Sequence, residues 1–168
     1  ALATGFRQMP TADVYLCVDS DAALDPDATR QGIRAFLGRN VVAVTGVAVA
    51  SNHRQNILTR LIDLRYINAF LGERAAYSRF GSVLCVTGVL AFWRGDLVRQ
   101  HLDEFLGQMF MGRKQNLGDD RHLTNLLQGH GRVVLARRAV AATVVPERLG
   151  HYVRQQARWG RSFWRESL

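Results

Sequence analysis

Asp19 and Asp21 are the residues of this chain whose types and spacing most directly suggest chemistry. They follow an apolar run, residues 14–18, whose residue types suit a strand buried on both faces and therefore central in a sheet. Ligands collect at the carboxyl ends of strands in open α/β sheets. The two carboxylates are therefore placed to hold a divalent cation and, through it, a diphosphate. Aspartates also make local turns in loops, so this triplet alone does not decide between the two interpretations.

Asp119 and Asp120 form a second acidic pair, in the first turn of a helix predicted to start at Gly118. Acids at this position stabilise a helix through its dipole by roughly 0.3–1 kcal/mol each. The other interpretation is that one of them is a general base, which must lie within hydrogen-bond reach of the proton that it removes. The pattern leaves both interpretations open.

The last predicted helix, residues 149–167, has two different faces. One face carries arginines at intervals of four, three and four residues, and the other carries mostly aromatic side chains. Three arrangements suit this pattern: an aromatic face in the core with a solvated basic back, a helix on a membrane surface, or a helix whose Arg158 holds a leaving diphosphate while Trp159 stacks on a sugar ring. The arginine face consists of Arg154, Arg158, Arg161 and Arg165, and the other of Tyr152, Gln156, Trp159 and Phe163.

A hydroxyl and a glycine, Thr87 and Gly88, lie side by side in an apolar stretch predicted to be a strand over residues 82–93. A glycine at such a point permits close approach of a ligand to the backbone, or it marks a β-bulge.

Strands and helices alternate along the rest of the chain, which predicts the α/β class and a single domain over residues 1–168. Asp25 is the predicted N-cap of a helix that begins at Pro26. The other predicted helices cover residues 1–9, 54–80 with a break near Gly72, and 96–110, and the region 111–117 is a predicted loop. The other predicted strands cover residues 41–50, either as two strands or as one with a bulge, 133–135 and 140–145.

The positive charge of the chain, which is carried almost entirely by arginine, favours a negatively charged partner. The 168 residues carry a formal charge of +8, and Lys114 is the only lysine among 22 basic residues. Arginine offers a planar fork of donors to phosphate oxygens, so the balance suits a phosphate-bearing ligand, an anionic membrane or nucleic acid. Cys17 and Cys85 lie in apolar runs and read as buried thiols, which favours a reducing compartment. The sequence shows no zinc, P-loop or nucleophile-elbow motif.

Four blocks in order resemble the processive membrane synthases of glycosyltransferase family 2. These blocks are Asp19-Ser20-Asp21, residues 85–88 with residues 92–94, residues 118–125, and residues 155–159 with 161–167. Among these synthases the chain is most similar to hyaluronan synthases, with rhizobial chitooligosaccharide synthases and chitin synthases close behind. The resemblance covers essentially the whole chain and implies a GT-A (Rossmann-like) fold, with a mixed sheet flanked by helices and its first strand upstream of Ala1.

The resemblance also implies roles for individual residues. Asp120 would be the catalytic base. Asp19, Asp21, Gln155 and Arg158 would bind the nucleotide sugar, with Asp21 as the ligand of Mg²⁺ or Mn²⁺. Thr87, Gly88 and Trp159 would bind the acceptor, and Asp119 and Arg121 would support the site. Val89 stands where the family usually has proline.

A whole enzyme of this kind would transfer N-acetylglucosamine, and in a hyaluronan synthase also glucuronic acid, from UDP-sugars to a growing β-linked polysaccharide. The domain would lie on the cytoplasmic side of the cell membrane, with flanking segments contacting lipid, and this piece alone would be inactive. The alternatives are a chitin or chitooligosaccharide synthase, a non-processive transferase, or a protein of another class, an arginine-rich module that binds lipid or nucleic acid. The enzyme interpretation excludes a nucleic-acid partner.

Overall fold

The computed structural model describes residues 2–110, 112–114 and 118–167. The helices are α1 (Leu2–Gln8), α2 (Ala28–Ala35), α3 (Ile57–Ile67), a π-helical segment (Asn68–Arg74), α4 (Ala75–Phe80), α5 (Gly95–Gln100), α6 (Leu102–Leu106), α7 (Asp119–Gln128) and α8 (Leu149–Ser167). The strands are β1 (Val14–Cys17), β2 (Ala23–Leu24), β3 (Val41–Ala50), β4 (Ala91–Arg94), β5 (Met109–Phe110), β6 (Arg113–Lys114) and β7 (Arg132–Thr143).

A mixed five-stranded sheet in the order β1-β4-β3-β7-β2 organises the domain. Strands β3 and β7 are parallel, and the other pairs are antiparallel. Side chains alternate between its faces. Ala43 and Trp93 belong to the core beneath α1, α5, α6 and α7, whereas Val44 and Phe92 pack with α2. The predicted α/β class, with helices flanking a mixed sheet, is confirmed.

Strand β1 is at an edge of the described sheet, so the prediction of a central strand is wrong. It pairs with β4 alone among the described strands, and Leu16 is 38% exposed. The apolar residues of a strand indicate that its side chains are shielded from water. They do not indicate whether the strand is central or at an edge, because that depends on the order of strands in the sheet.

Two long predicted elements are shorter or broken in the structure. The predicted strand 82–93 is regular only in β4, and a turn precedes β4 in which Leu90 N–H donates to the Thr87 carbonyl at 3.1 Å. The predicted helix 96–110 breaks at His101 into α5 and α6 and ends in β5. Part of the predicted loop 111–117 lies outside the described residues, and residues 113–114 form β6.

The other differences between the predicted and the observed elements concern where helices begin and whether strands are continuous. Helix α2 begins two residues after the predicted start at Pro26, and the Asp25 carboxylate accepts from Asp27 N–H in the preceding turn. The predicted helix 54–80 runs on through Gly72 as a π-helical segment, and its apolar stripe is largely exposed, with Leu61 at 57%. Residues 41–50 form one strand with a register shift around Gly46, which agrees with the predicted bulge, and residues 132–143 form one strand rather than two.

Helix α8 matches its predicted range of 149–167, and Leu168 lies outside the described residues. It has no fully buried residue. On its aromatic face Tyr152 packs against a core cluster, whereas Trp159 and Phe163 are 39% and 43% exposed. Within residues 2–110, 112–114 and 118–167, no helix combines the length and hydropathy required to cross a bilayer.

Candidate active site

Three of the predicted site residues, Asp19, Gly88 and Asp120, meet at one point. The Gly88 N–H donates to Asp120 Oδ2 at 2.8 Å. A β-carbon placed on Gly88 would lie 3.1 Å from Asp120 Oδ2 and 3.1 Å from Asp19 Oδ1. Carboxylates from distant parts of the chain therefore flank one glycine whose lack of a side chain leaves room between them.

The pairing of β1 with β4 brings Asp19 to Gly88. Cys17 lies opposite Ala91 in this antiparallel pair, so the residues that follow β1 and those that precede β4 emerge at the same end of the sheet. The pairing of β1 with β4 therefore explains why the loop that carries Asp19 lies next to the turn that contains Gly88.

Thr124 connects α7, which carries Asp120, to the same turn. Its hydroxyl donates to the Asp120 carbonyl at 2.6 Å and accepts from the Val86 N–H at 3.0 Å. The neighbouring Thr87 hydroxyl lies 3.3 Å from the Thr45 hydroxyl of β3. The turn around Gly88 is therefore bonded both to the sheet and to α7.

The pKa values of Asp120 and Asp19 are both raised by their surroundings. Burial raises the pKa of Asp120 to about 6, the Gly88 N–H opposes the rise, Asp19 adds to it, and Arg158 opposes it. Burial also raises the pKa of Asp19, as does the adjacent charge of Asp21, and Arg158 again opposes the rise. Arg158 is thus the cation of α8 whose field reaches both carboxylates.

Asp21 lies beside a cavity rather than beside Gly88. Its Oδ2 accepts from the Thr143 hydroxyl at 3.2 Å. The cavity has a volume of about 780 Å³ and is also lined by Gln155 and by basic residues, a size typical of ligand sites. The Gln155 Oε1 atom is buried and lacks a hydrogen-bond partner among the described residues. The basic residues that line the cavity are Arg148, His151 and Arg154.

The acidic donor set suits a divalent cation bound together with a substrate. Within the part of the chain that the structure describes, no three histidine, cysteine or acidic side chains are grouped closely enough to hold a metal by themselves. Mg²⁺ commonly takes only one or two carboxylates, with phosphate oxygens and water completing its shell. The repulsion between Asp19 and Asp21 is what such a cation would relieve, so the two residues fit it.

The remaining predicted residues lie around α7 and α8. The Arg121 guanidinium lies over the Phe163 ring of α8, 5.1 Å from its centroid. Asp119 is half-buried, and burial raises its pKa. Trp159 follows Arg158 on α8 and is 39% exposed; none of its described contacts joins it to the carboxylates.

Two residues near the site were missed from the sequence. Burial raises the pKa of the half-buried Tyr66, and Asp19 is among the charges that act on it. Burial lowers the pKa of Arg74, whose guanidinium lies 4.4 Å from the centroid of Phe70. Both residues interrupt the apolar pattern of residues 54–80, and that interruption was the available signal.

We expect Gly88→Ala to impair activity without destabilising the fold. The new β-carbon would be 3.1 Å from both carboxylates, so Asp120 must move by a few tenths of an ångström. Since a misplacement of 1 Å can cost about 10²-fold, a fall in kcat of roughly 10-fold is expected. The melting temperature should stay level or rise, because alanine restricts the unfolded chain. Normal kcat in a folded Gly88→Ala protein would contradict the proximity of these groups.

Comparison with known proteins places these observations in context. The profile of the family described as "Glycosyltransferase like family 2" matches residues 1–162. The chain is 43% identical over 157 residues to a hyaluronan synthase of Streptococcus pyogenes, covering 94% of this chain and 38% of that protein. It is 41% identical over 157 residues to an N-acetylglucosaminyltransferase of Neorhizobium galegae, with 93% and 36% covered. The chain therefore spans little more than a third of the length of these curated relatives.

A solved structure shares the fold. The mannosyltransferase PcManGT from Pyrobaculum calidifontis, in complex with GDP-Man and Mn²⁺, superposes with a TM-score of 0.62 at 19% identity. The match covers 99% of this chain and 41% of that chain. At this identity the likeness concerns the fold alone, and it confirms the predicted GT-A architecture.

Proposed function

This chain belongs to the Glycosyltransferase like family 2, and on that premise we propose that it carries the active site of an inverting, UDP-sugar-dependent polysaccharide synthase. The sugar transferred is N-acetylglucosamine, and in a hyaluronan-type polymer glucuronic acid is the second. The observation that carries the proposal is the convergence of Asp19, Gly88 and Asp120, within the field of Arg158.

Asp120 is the proposed general base. The acceptor hydroxyl oxygen bonds to the anomeric carbon of the donor as the bond from that carbon to the UDP oxygen breaks. The hydroxyl proton passes to Asp120, and UDP leaves with the bonding electrons. With a pKa of about 6, Asp120 is ionised at neutral pH and yet basic enough to accept a proton in the transition state.

The donor diphosphate fits between Asp21 and α8. Asp21, with Asp19, would hold Mg²⁺ or Mn²⁺, which stabilises negative charge on the departing diphosphate when bound. The Arg158 guanidinium and the Gln155 Nε2 group would donate hydrogen bonds to the diphosphate itself. A cation placed in advance where charge develops lowers the barrier without reorganisation.

The acceptor fits on the other side of Asp120. Thr87 and Gly88 would line the acceptor site, and Trp159 offers an exposed ring on which a sugar can stack. Asp119 and Arg121 support this side, the latter through its contact with Phe163.

A chitooligosaccharide synthase is the second candidate. It is favoured by 43% identity over 159 residues to an N-acetylglucosaminyltransferase of Rhizobium sp. strain N33. UDP-N-acetylglucosamine alone would sustain elongation by this enzyme, whereas a hyaluronan-type enzyme stops without UDP-glucuronic acid. We propose that the full-length protein acts at the cell membrane with this domain on the cytoplasmic side.

UDP binding is expected to require a divalent cation and Asp21. Asp21→Asn should weaken Mn²⁺-dependent UDP binding by roughly 10-fold or more, since a metal ligand is lost. Titration calorimetry with Mn²⁺ and with a chelator measures this effect. Asp13→Asn, at the opposite end of β1, is the matched control and should bind UDP normally.

UDP binding that does not require a divalent cation would contradict the proposed role of Asp21 as a metal ligand. If anionic vesicles or DNA bound strongly in a salt-sensitive manner while UDP did not bind, the arginine-rich interaction module would be the better account.

A further inference from the structure

Helix α8 is fastened to the domain near both of its ends. Near its start, Tyr152 packs against Ile62 and Val145. Near its end, Glu166 contacts α7. Residues 155–159, which carry the proposed donor and acceptor contacts, lie between these two attachments on a helix without a fully buried residue. Their position therefore depends on the attachments rather than on core packing.

The attachment to α7 is a polar cluster in which Glu166 and Arg165 are mostly buried and Asn125 is exposed. Glu166 Oε2 lies 3.0 Å from His122 Nδ1, and Glu166 Oε1 accepts from Arg165 Nη2 at 2.8 Å and from Arg165 Nε at 3.1 Å. Asn125 Nδ2 is 3.4 Å from Glu166 Oε2. The side chains of Glu166 and Arg165 are each only 10% exposed. We call His122, Asn125, Arg165 and Glu166 the α7–α8 clamp.

Gly118 allows the two helices to approach closely at the same place. It precedes α7 with a φ of +81°, and a β-carbon on it would lie 1.9 Å from Ser162 Oγ and 3.0 Å from Arg165 Nη2. The last turns of α8 therefore rest directly on the turn that leads into Asp120.

The clamp also sets the rotation of α8. Residues seven apart lie on nearly the same face of an α-helix, about 10 Å along its axis. Ser162 and Arg165 contact the start of α7, so Gln155 and Arg158, seven residues earlier, face the same side. This is the side of Asp19 and Asp120, in agreement with the field of Arg158 at both carboxylates.

We propose that Glu166 is a positioning residue that locks α8 onto α7, so that Arg158 and Trp159 are held in register with Asp120. This inference rests on the proposed transferase function. A buried ion pair adds little net stability, because removing its charges from water offsets their attraction. The role of Glu166 is therefore geometric: it determines which hydroxyl meets the donor at Asp120.

A loosened clamp has a specific chemical consequence. Asp120 still accepts a proton, but a misplaced acceptor lets water occupy its position. The water oxygen then bonds to the anomeric carbon, the bond to UDP breaks, and the products are free sugar and UDP. The ratio of sugar released to sugar transferred reports this error, and it does not depend on the fraction of folded enzyme.

The experiment compares Glu166→Gln with wild type in the full-length protein, measuring UDP release, free sugar and polymer in one assay. We expect transfer to fall roughly 10- to 100-fold, as misalignment predicts, and the ratio of hydrolysis to transfer to rise several-fold. Glu104→Gln is the matched control. Glu104 also lies 3.0 Å from a histidine, His101, but it is 62% exposed, and its substitution should leave the ratio unchanged.

His122→Gln is the second variant, and it decides the question if Glu166→Gln fails to fold. A raised ratio supports the positioning role. An unchanged ratio, with both reactions reduced in proportion, overturns it and leaves Glu166 a purely structural residue. A wild-type protein that neither transfers nor hydrolyses any UDP-sugar overturns the proposed function instead, and the inference with it.

Discussion

Replacing Asp120 with asparagine is expected to abolish sugar transfer while making the folded protein more stable at neutral pH. Asparagine cannot accept the acceptor proton, and general bases contribute about 10²- to 10⁴-fold to rate. Metal-dependent UDP binding should persist, because the proposed role of Asp120 is toward the acceptor and not toward the diphosphate.

The gain in stability follows from the pKa of Asp120. Burial is the main cause that raises it from 3.8 to about 6, so holding the ionised carboxylate in the fold costs at most about 3 kcal/mol at about 1.36 kcal/mol per pKa unit. Asparagine has no such cost, and its Oδ1 can still accept from the Gly88 N–H. We expect a gain of about 1–3 kcal/mol in the free energy of unfolding at pH 7.

The contribution of Asp120 to the free energy of unfolding should decrease as the pH rises. An acid with a raised pKa in the folded state stabilises the fold below its unfolded pKa and loses that contribution as pH rises. The difference in the free energy of unfolding between Asp120→Asn and wild type should thus be near zero well below pH 3.8, grow between pH 3.8 and about 6, and be constant well above pH 6.

Denaturant titrations at several pH values, together with a polymer assay, measure both effects. Asp103→Asn is the matched control, because Asp103 is an exposed carboxylate in the first turn of α6. It should change neither activity nor this pH dependence. Near-normal turnover of Asp120→Asn would remove Asp120 from the role of base.

Arg158→Ala is the second large effect that we expect. If Arg158 contacts the departing diphosphate as proposed, its loss should lower kcat by roughly 10²- to 10³-fold. Burial raises the pKa of Asp120 and Arg158 opposes that rise, so its removal should raise the pKa further. The acid limb of kcat/KM, which reports the free enzyme, should lie near pH 6 in wild type and at higher pH in Arg158→Ala.

Two further variants test this account with pH–rate profiles. Arg158→Lys keeps the charge, so its acid limb of kcat/KM should lie close to that of wild type. Its kcat should recover only in part, because lysine lacks the planar fork of donors. Arg161→Ala removes an exposed arginine of the same helix and should leave the profile unchanged. An acid limb that does not move in Arg158→Ala would mean that Arg158 does not act on Asp120.

The sequence predicted the elements whose signals are local. The Gly118-Asp119-Asp120 start of α7, the range of α8 and the acids after β1 agree with the structure, because caps and periodicity act within a few residues. The length of the strand around Gly88 was wrong, because residues 84–89 leave the sheet to form the turn that holds Asp120.

The predictions that failed concern neighbours in space. The apolar residues of β1 and α3 were recognised, but hydropathy does not identify which element covers a side chain. Leu61 is 57% exposed, although Ile62 in the same periodic stripe is buried. Tyr66 and Arg74 interrupt the apolar pattern of residues 54–80, but that local signal does not say that the packing of their helical segment brings them near the site.

By itself, the sequence identified the candidate site residues and the elements on which they lie: two acids after a strand, an acid in the first turn of a helix, and an arginine beside a tryptophan on an amphipathic helix. Only the tertiary structure placed Asp19 and Asp120 beside Gly88 and brought Glu166 of α8 into contact with His122 of α7. The reason is physical. Helix and strand signals repeat over a few residues, whereas the convergence of these groups depends on strand order and helix packing between parts of the chain that are distant in sequence.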